Sequence, residues 1–144
     1  MRLWHKDLIP VLPREQLVAQ WRELSAIAGR IQKDGTPNHI LVNFVCNYPF
    51  DHFITYASLI RREMSSRGYR TMDSVWNKIE SLNPSWSIVP YEDLYAQKMN
   101  DMYFTICFYN LFEKGLCGGI PDNEMQKIID LITMKGRESL AEQR

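Results

Sequence analysis

The stretch PREQLVAQWRELSAIAGRIQK, residues 13–33, decides the fold class. Leu17, Val18, Trp21, Leu24, Ala28 and Ile31 recur at three-to-four-residue spacing and draw one apolar stripe along a helix. Pro13 suits the first turn, and Asp34-Gly35-Thr36-Pro37 ends the helix. Beside the stripe runs a second row, Gln16, Gln20, Glu23, Ile27 and Arg30, with Arg22 on a neighbouring side. Periodicity alone reads Glu23 as a solvated surface glutamate. A position at the edge of the stripe would instead desolvate it in part and raise its pKa, with a nearby arginine opposing, as suits a general acid or base.

Outward from this helix the pattern stays helical. Residues 1–12 are apolar and basic, with Pro10 and Pro13 preventing an early helix, so an irregular N-terminal segment is expected. His39–Cys46 (HILVNFVC) reads as a strand or an irregular buried segment. Pro49 opens a second helix to about Arg67, with Phe53, Ile54, Ala57, Ile60 and Met64 inward and Gly68 after its end. A shorter helix is expected over 72–81, stopped by Asn83-Pro84, and a loop over 85–90. A long helix is expected over 92–114. Its apolar core MYFTICFYNLF, 102–112, suggests the central buried helix. A last amphipathic helix begins near Asp122, turns Met125, Ile128, Ile129 and Ile132 inward, and is expected to end at Gly136 before a polar tail. The sum is a mainly α, single-domain bundle of four to five helices spanning residues 1–144.

Composition bounds the function. With 45% hydrophobic and 24% charged residues, the 144-residue chain is globular in character rather than disordered. It contains no run of membrane-spanning length, and Lys6, Asp7 and Pro10 interrupt any secretory signal, so a cytoplasmic location is expected. Cys46, Cys107 and Cys117 form no CxxC pair and are expected to be buried or semi-buried thiols. His5, His39 and His52 lack metal-ligand spacing, so neither a metal nor a cofactor is expected. The charge balance, 17 basic against 17 acidic, argues against long-range attraction of DNA but leaves room for a local basic face. Arg61-Arg62, with Arg67 and Arg70 farther on, is the best local basic feature; it reads as a solvated face, with phosphate contact as the lesser reading.

The opening MRLWHKDLIPVLPREQLVAQWREL resembles the N-terminus of the pyrimidine-dimer DNA glycosylases, the phage endonuclease V type with AP-lyase activity and its bacterial relatives. NFVCNYPFDHFITYASLIRREMSSRGY, residues 43–69, is similar to the family's second helix, and the resemblance covers about the first half of the chain. It implies that the nucleophile is an N-terminal α-amine, here that of Met1. Such amines have an ordinary pKa near ~8 and so keep a neutral fraction at neutral pH. Arg2 is too large for the initiator residue to be trimmed, so Met1 is expected to remain. The resemblance further implies Glu23 as catalytic acid/base, Arg2 and Arg22 as phosphate contacts, and Gln16 and Gln20 as contacts to the opened duplex. Damaged double-stranded DNA would be the partner. Ala26 stands where the family's helix carries another arginine, and the ESLAEQR end has no counterpart to the phage type's basic aromatic tail. A non-catalytic helical module, binding nucleic acid or protein through exposed aromatics such as Trp76 and Trp86, is the alternative.

Overall fold

The computed structural model describes residues 1–142, with side chains through Gly136. Among the described residues there are five α-helices and no strand: α1 (Arg14–Asp34), α2 (Phe50–Ser66), α3 (Asp73–Glu80), α4 (Asp101–Leu116) and α5 (Asp122–Glu142). The expected mainly α bundle is what forms. No described helix is long and apolar enough to cross a membrane.

Both sequence-marked helix ends are closed by glycine. Gly35, at φ 78°, returns its N–H to the carbonyl of Ile31 at 2.8 Å. Gly68, at φ 81°, lets Tyr69 N–H reach the carbonyl of Met64 at 2.8 Å. These left-handed positions suit glycine because a Cβ is penalised there. Helix α2 is the most enclosed, burying Phe53, Ile54, Thr55, Tyr56, Ala57, Ile60 and Met64. Helix α1 packs against α2 and α3, and α4 packs against α5.

The N-terminal segment is irregular as expected, apart from a short 3-10 helix at Lys6–Val11 that includes Pro10. His5 Nδ1 accepts the Asp7 N–H at 3.1 Å and starts it, and proline's missing donor does not break so short an element. Several other expectations are corrected. His39–Cys46 is a turn leading into a 3-10 segment, Asn43–Asn47, not a strand. The helix expected over 92–114 begins only at Asp101, where the Asn100 side chain accepts the Tyr103 N–H at 2.9 Å. Upstream, the buried Lys6 ammonium donates to the carbonyls of Tyr91 and Leu94, and Tyr95 sits at φ 47°. Carbonyls taken by a lysine and a left-handed residue are incompatible with a continuous helix. Helix α4 is peripheral: only Tyr103, Cys107 and Leu111 are buried, while Met102, Ile106 and Tyr109 face water. Gly136 lies inside α5 rather than at its end. Cys46 and Cys117 are exposed, and only Cys107 is buried. Trp76 and Trp86 are half-buried against each other, with Trp86 Nε1 donating to Glu80 at 2.8 Å, so neither is a free aromatic.

The N-terminal segment is clamped on all sides. Leu3 is fully buried, and the carbonyls of residues 2, 3 and 4 accept from Gln20 Nε2, Tyr103 Oη and Tyr56 Oη respectively. Farther along, Arg67 donates to the carbonyls of Leu12 and Pro10 while paired to Glu63, so this arginine is structural. Lys135 of α5 pairs with Asp7 at 2.9 Å. Gln20→Leu is expected to destabilise the protein by about 2–3 kcal/mol in urea unfolding, because it orphans the buried Trp4 N–H and the Arg2 carbonyl. A loss under about 0.5 kcal/mol would contradict the clamp.

Candidate active site: a basic cleft at the chain terminus

The row that periodicity set apart from the core is itself partly buried. Gln16 is 6% exposed, Gln20 0% and Ile27 2%, because the N-terminal segment lies across that side of α1. Gln20 is therefore not on the surface. Its Oε1 accepts the Trp4 N–H at 2.8 Å and the Tyr56 hydroxyl at 3.0 Å. Its Nε2 donates to the Arg2 carbonyl at 2.9 Å and to Glu23 Oε2 at 3.2 Å. A carboxamide engaged in this way has no capacity left for DNA; it fixes residues 2–4 and orients Glu23.

The result is an open cavity of about 600 Å³ lined by Met1, Arg2, Trp4, Arg14, Glu15, Gln16, Val18, Ala19, Arg22, Glu23 and Lys114. It brings together Met1, Arg2, Gln16, Arg22 and Glu23 of the sequence expectations. Gln16 Oε1 is buried without a hydrogen-bond partner at the cavity wall. Arg14 and Lys114 are basic lining residues that sequence reasoning did not single out. Arg14 stands within the LPR of the opening motif; Lys114 closes α4, and no local pattern marks it. Four cationic side chains and the α-amine thus face two carboxylates, a basic patch on a chain of zero net charge.

Glu23 is half-buried, and burial pushes its carboxyl above the usual glutamate range. The α-ammonium of Met1 is the largest opposing influence, followed by Arg22 and His39, and burial outweighs them. Met1 itself is 47% exposed and lines the same open cavity as Glu23. His5 does not line the cavity; it is buried edge-on against Phe104. Among the described residues no group of three His, Cys, Asp or Glu side chains is arranged to hold a metal ion.

The raised pKa has a stability consequence. The folded chain holds the Glu23 proton more tightly than the unfolded chain, so stability falls as pH rises from the unfolded to the folded pKa. Glu23→Gln is expected to melt higher than the parent protein at neutral pH. The gap should close on acidification below the ordinary glutamate range, as read in thermal melts between about pH 3 and pH 8. A gap that widens in acid would contradict the assignment.

A family model described as pyrimidine dimer DNA glycosylase matches residues 1–77, the part of the chain that contains the N-terminal segment and all of α1 and α2. No curated protein and no solved structure matches the chain. The matched segment is more than half of the 144 residues, and the chain belongs to the pyrimidine dimer DNA glycosylase family.

Proposed function

We propose that the protein is a DNA glycosylase/AP lyase that attacks damaged or abasic duplex DNA with the α-amine of Met1. The observation that carries this reading is the shared Gln20 carboxamide, which holds the terminal segment and Glu23 at one basic, open cavity. In the first step the neutral amine attacks C1′ and the C1′–N bond to the base breaks, the base leaving with a proton. Glu23, protonated more readily than an ordinary glutamate, donates to O4′ as the sugar ring opens to the imine. The resulting carboxylate takes a proton from C2′. The electron pair forms a C2′–C3′ double bond, and the C3′–O bond to the 3′ phosphate breaks. Water then hydrolyses the imine and frees the amine. Arg2, Arg14, Arg22 and Lys114 hold phosphates, a sequence-independent anchorage. Gln16, with its unpartnered oxygen, can meet a donor on the extruded nucleotide.

Borohydride reduction in the presence of abasic duplex is expected to yield a covalent adduct attached at Met1, located by peptide mass mapping. Reductive dimethylation of the α-amine should abolish it. Glu23→Gln should slow strand cleavage by about 10²–10⁴-fold. Absence of any adduct with a free α-amine refutes the reading and favours the non-catalytic module. Arg22→Gln and Lys114→Gln should each weaken binding across sequences and lower the slope of log affinity against log salt by about 1. An unchanged slope removes that residue from the phosphate contacts.

A further inference from the structure

Helix α4 has a sequence that reads as buried on every side, yet the bundle covers only part of it. Tyr103, Cys107 and Leu111 face the core, and Phe104 and Phe108 lean on it. On the other side Met102 is 74% exposed, Ile106 45%, Tyr109 60% and Leu116 74%. Steps of four, three and seven residues keep these four on one face of the helix, about 21 Å long at ~1.5 Å per residue. Half-buried Phe112 borders the face, and Thr105 and Glu113 are its polar members. Among the described residues no other helix leaves four large apolar side chains in water.

A solvated stripe of this extent marks a surface that a partner covers. Its charge narrows the choice. Asp101 and Glu113 are both acidic, and Lys114, the one cation of α4, lines the cleft instead. Nucleic acid or an anionic lipid surface therefore finds no counter-charge on this face.

The register points to a second copy of the same chain. Counted outward from Tyr109, the face mirrors itself: Ile106 and Phe112 at three residues, Thr105 and Glu113 at four, Met102 and Leu116 at seven. Antiparallel two-fold pairing thus sets Met102 of one copy against Leu116 of the other, and Ile106 against Phe112. Glu113 then meets Thr105, whose hydroxyl donates to the Asp101 carbonyl at 3.1 Å in the single chain and can turn to donate across the seam. Parallel pairing would stack Glu113 on Glu113, a like-charge juxtaposition, and would align the two helix dipoles unfavourably.

We propose that α4 is the interface of a symmetric dimer, in which two copies of this chain pair these faces antiparallel about Tyr109. Such a contact is isologous and closes after two copies. Lys114 stands about 140° round the helix from Tyr109, so the cleft side of α4 stays uncovered. The dimer does not depend on the amine chemistry proposed above.

Sedimentation velocity on the full chain tests it. The mass should climb from 17.0 kDa in dilute solution toward twice that value at about 300 µM, as suits an interface at the small end of the specific range. Tyr109→Glu and Met102→Glu should each weaken association about ten-fold or more. In dilute solution both should melt within about 2 °C of the parent, since these side chains are solvated in the single chain. Glu113→Leu, which removes the one charge in the seam, should tighten association about ten-fold. With Cys46→Ser and Cys117→Ser as background, Met102→Cys mixed with Leu116→Cys should oxidise to a heterodimer, and neither alone to a homodimer. A mass that stays at 17.0 kDa up to about 300 µM overturns the dimer. Association that survives both glutamate substitutions overturns the assignment to this face. Homodimers of either cysteine variant alone overturn the antiparallel register.

Discussion

The buried carboxamide of Gln20 is the contact on which the rest of the cleft depends. A neutral amide is suited to this post because it can donate and accept at once: its oxygen satisfies Trp4 and Tyr56, and its nitrogen satisfies Arg2 and Glu23. A carboxylate in its place would add a second negative charge beside Glu23, and a leucine would leave backbone groups unpaired. Because the same nitrogen serves the terminal segment and the glutamate, their spacing is set by one rigid side chain on a helix rather than by two independent loops. Sites held on regular elements keep their geometry more closely than sites on loops.

Charge is organised locally and not globally. Seventeen cations balance seventeen anions over the chain, yet the cleft gathers Arg2, Arg14, Arg22, Lys114 and the α-amine. Attraction of a polyanion would therefore be short-ranged, acting within about a Debye length of the cleft, ~8 Å at physiological salt. Within that region Glu23 resists ionisation because it is half-enclosed, and the neighbouring cations restrain but do not cancel the effect. The local excess of positive charge and the retention of a proton thus have different physical causes at the same place.

Much of the fold was legible from local pattern. The stripe of α1, the opening of α2 after Pro49 and the glycines at 35 and 68 are signals within one or two turns of chain, and they hold. What failed depended on distant partners. Nothing near residue 92 announces that Lys6 takes the carbonyls of Tyr91 and Leu94, which stops a helix that the apolar content favours. The apolar run 102–112 was misread as central because aromatic and methionine side chains can also stand at a surface, as Met102 and Tyr109 do. In the site, Met1, Arg2, Arg22 and Glu23 were reached through the opening motif, whereas a helical wheel placed Gln16 and Gln20 on an outer face. It cannot register that residues 2–4 fold back over that face and enclose both amides. Lys114 was invisible because only tertiary packing brings the end of α4 to α1.

The pairings that secure the first residues reach very far along the chain. Leu3 is held by Tyr103, and Asp7 by Lys135, so these early residues are restrained by partners 100 and 128 positions later. During translation α1 and α2 can already pack while the terminus still lacks those two restraints, since domains acquire distant contacts only as the later segments emerge. A nascent or C-terminally clipped chain would then carry every residue implied by the opening motif and still hold its leading strand of backbone loosely. The order of the terminal segment therefore depends on α4 and α5 as well as on the half that bears the family's signature.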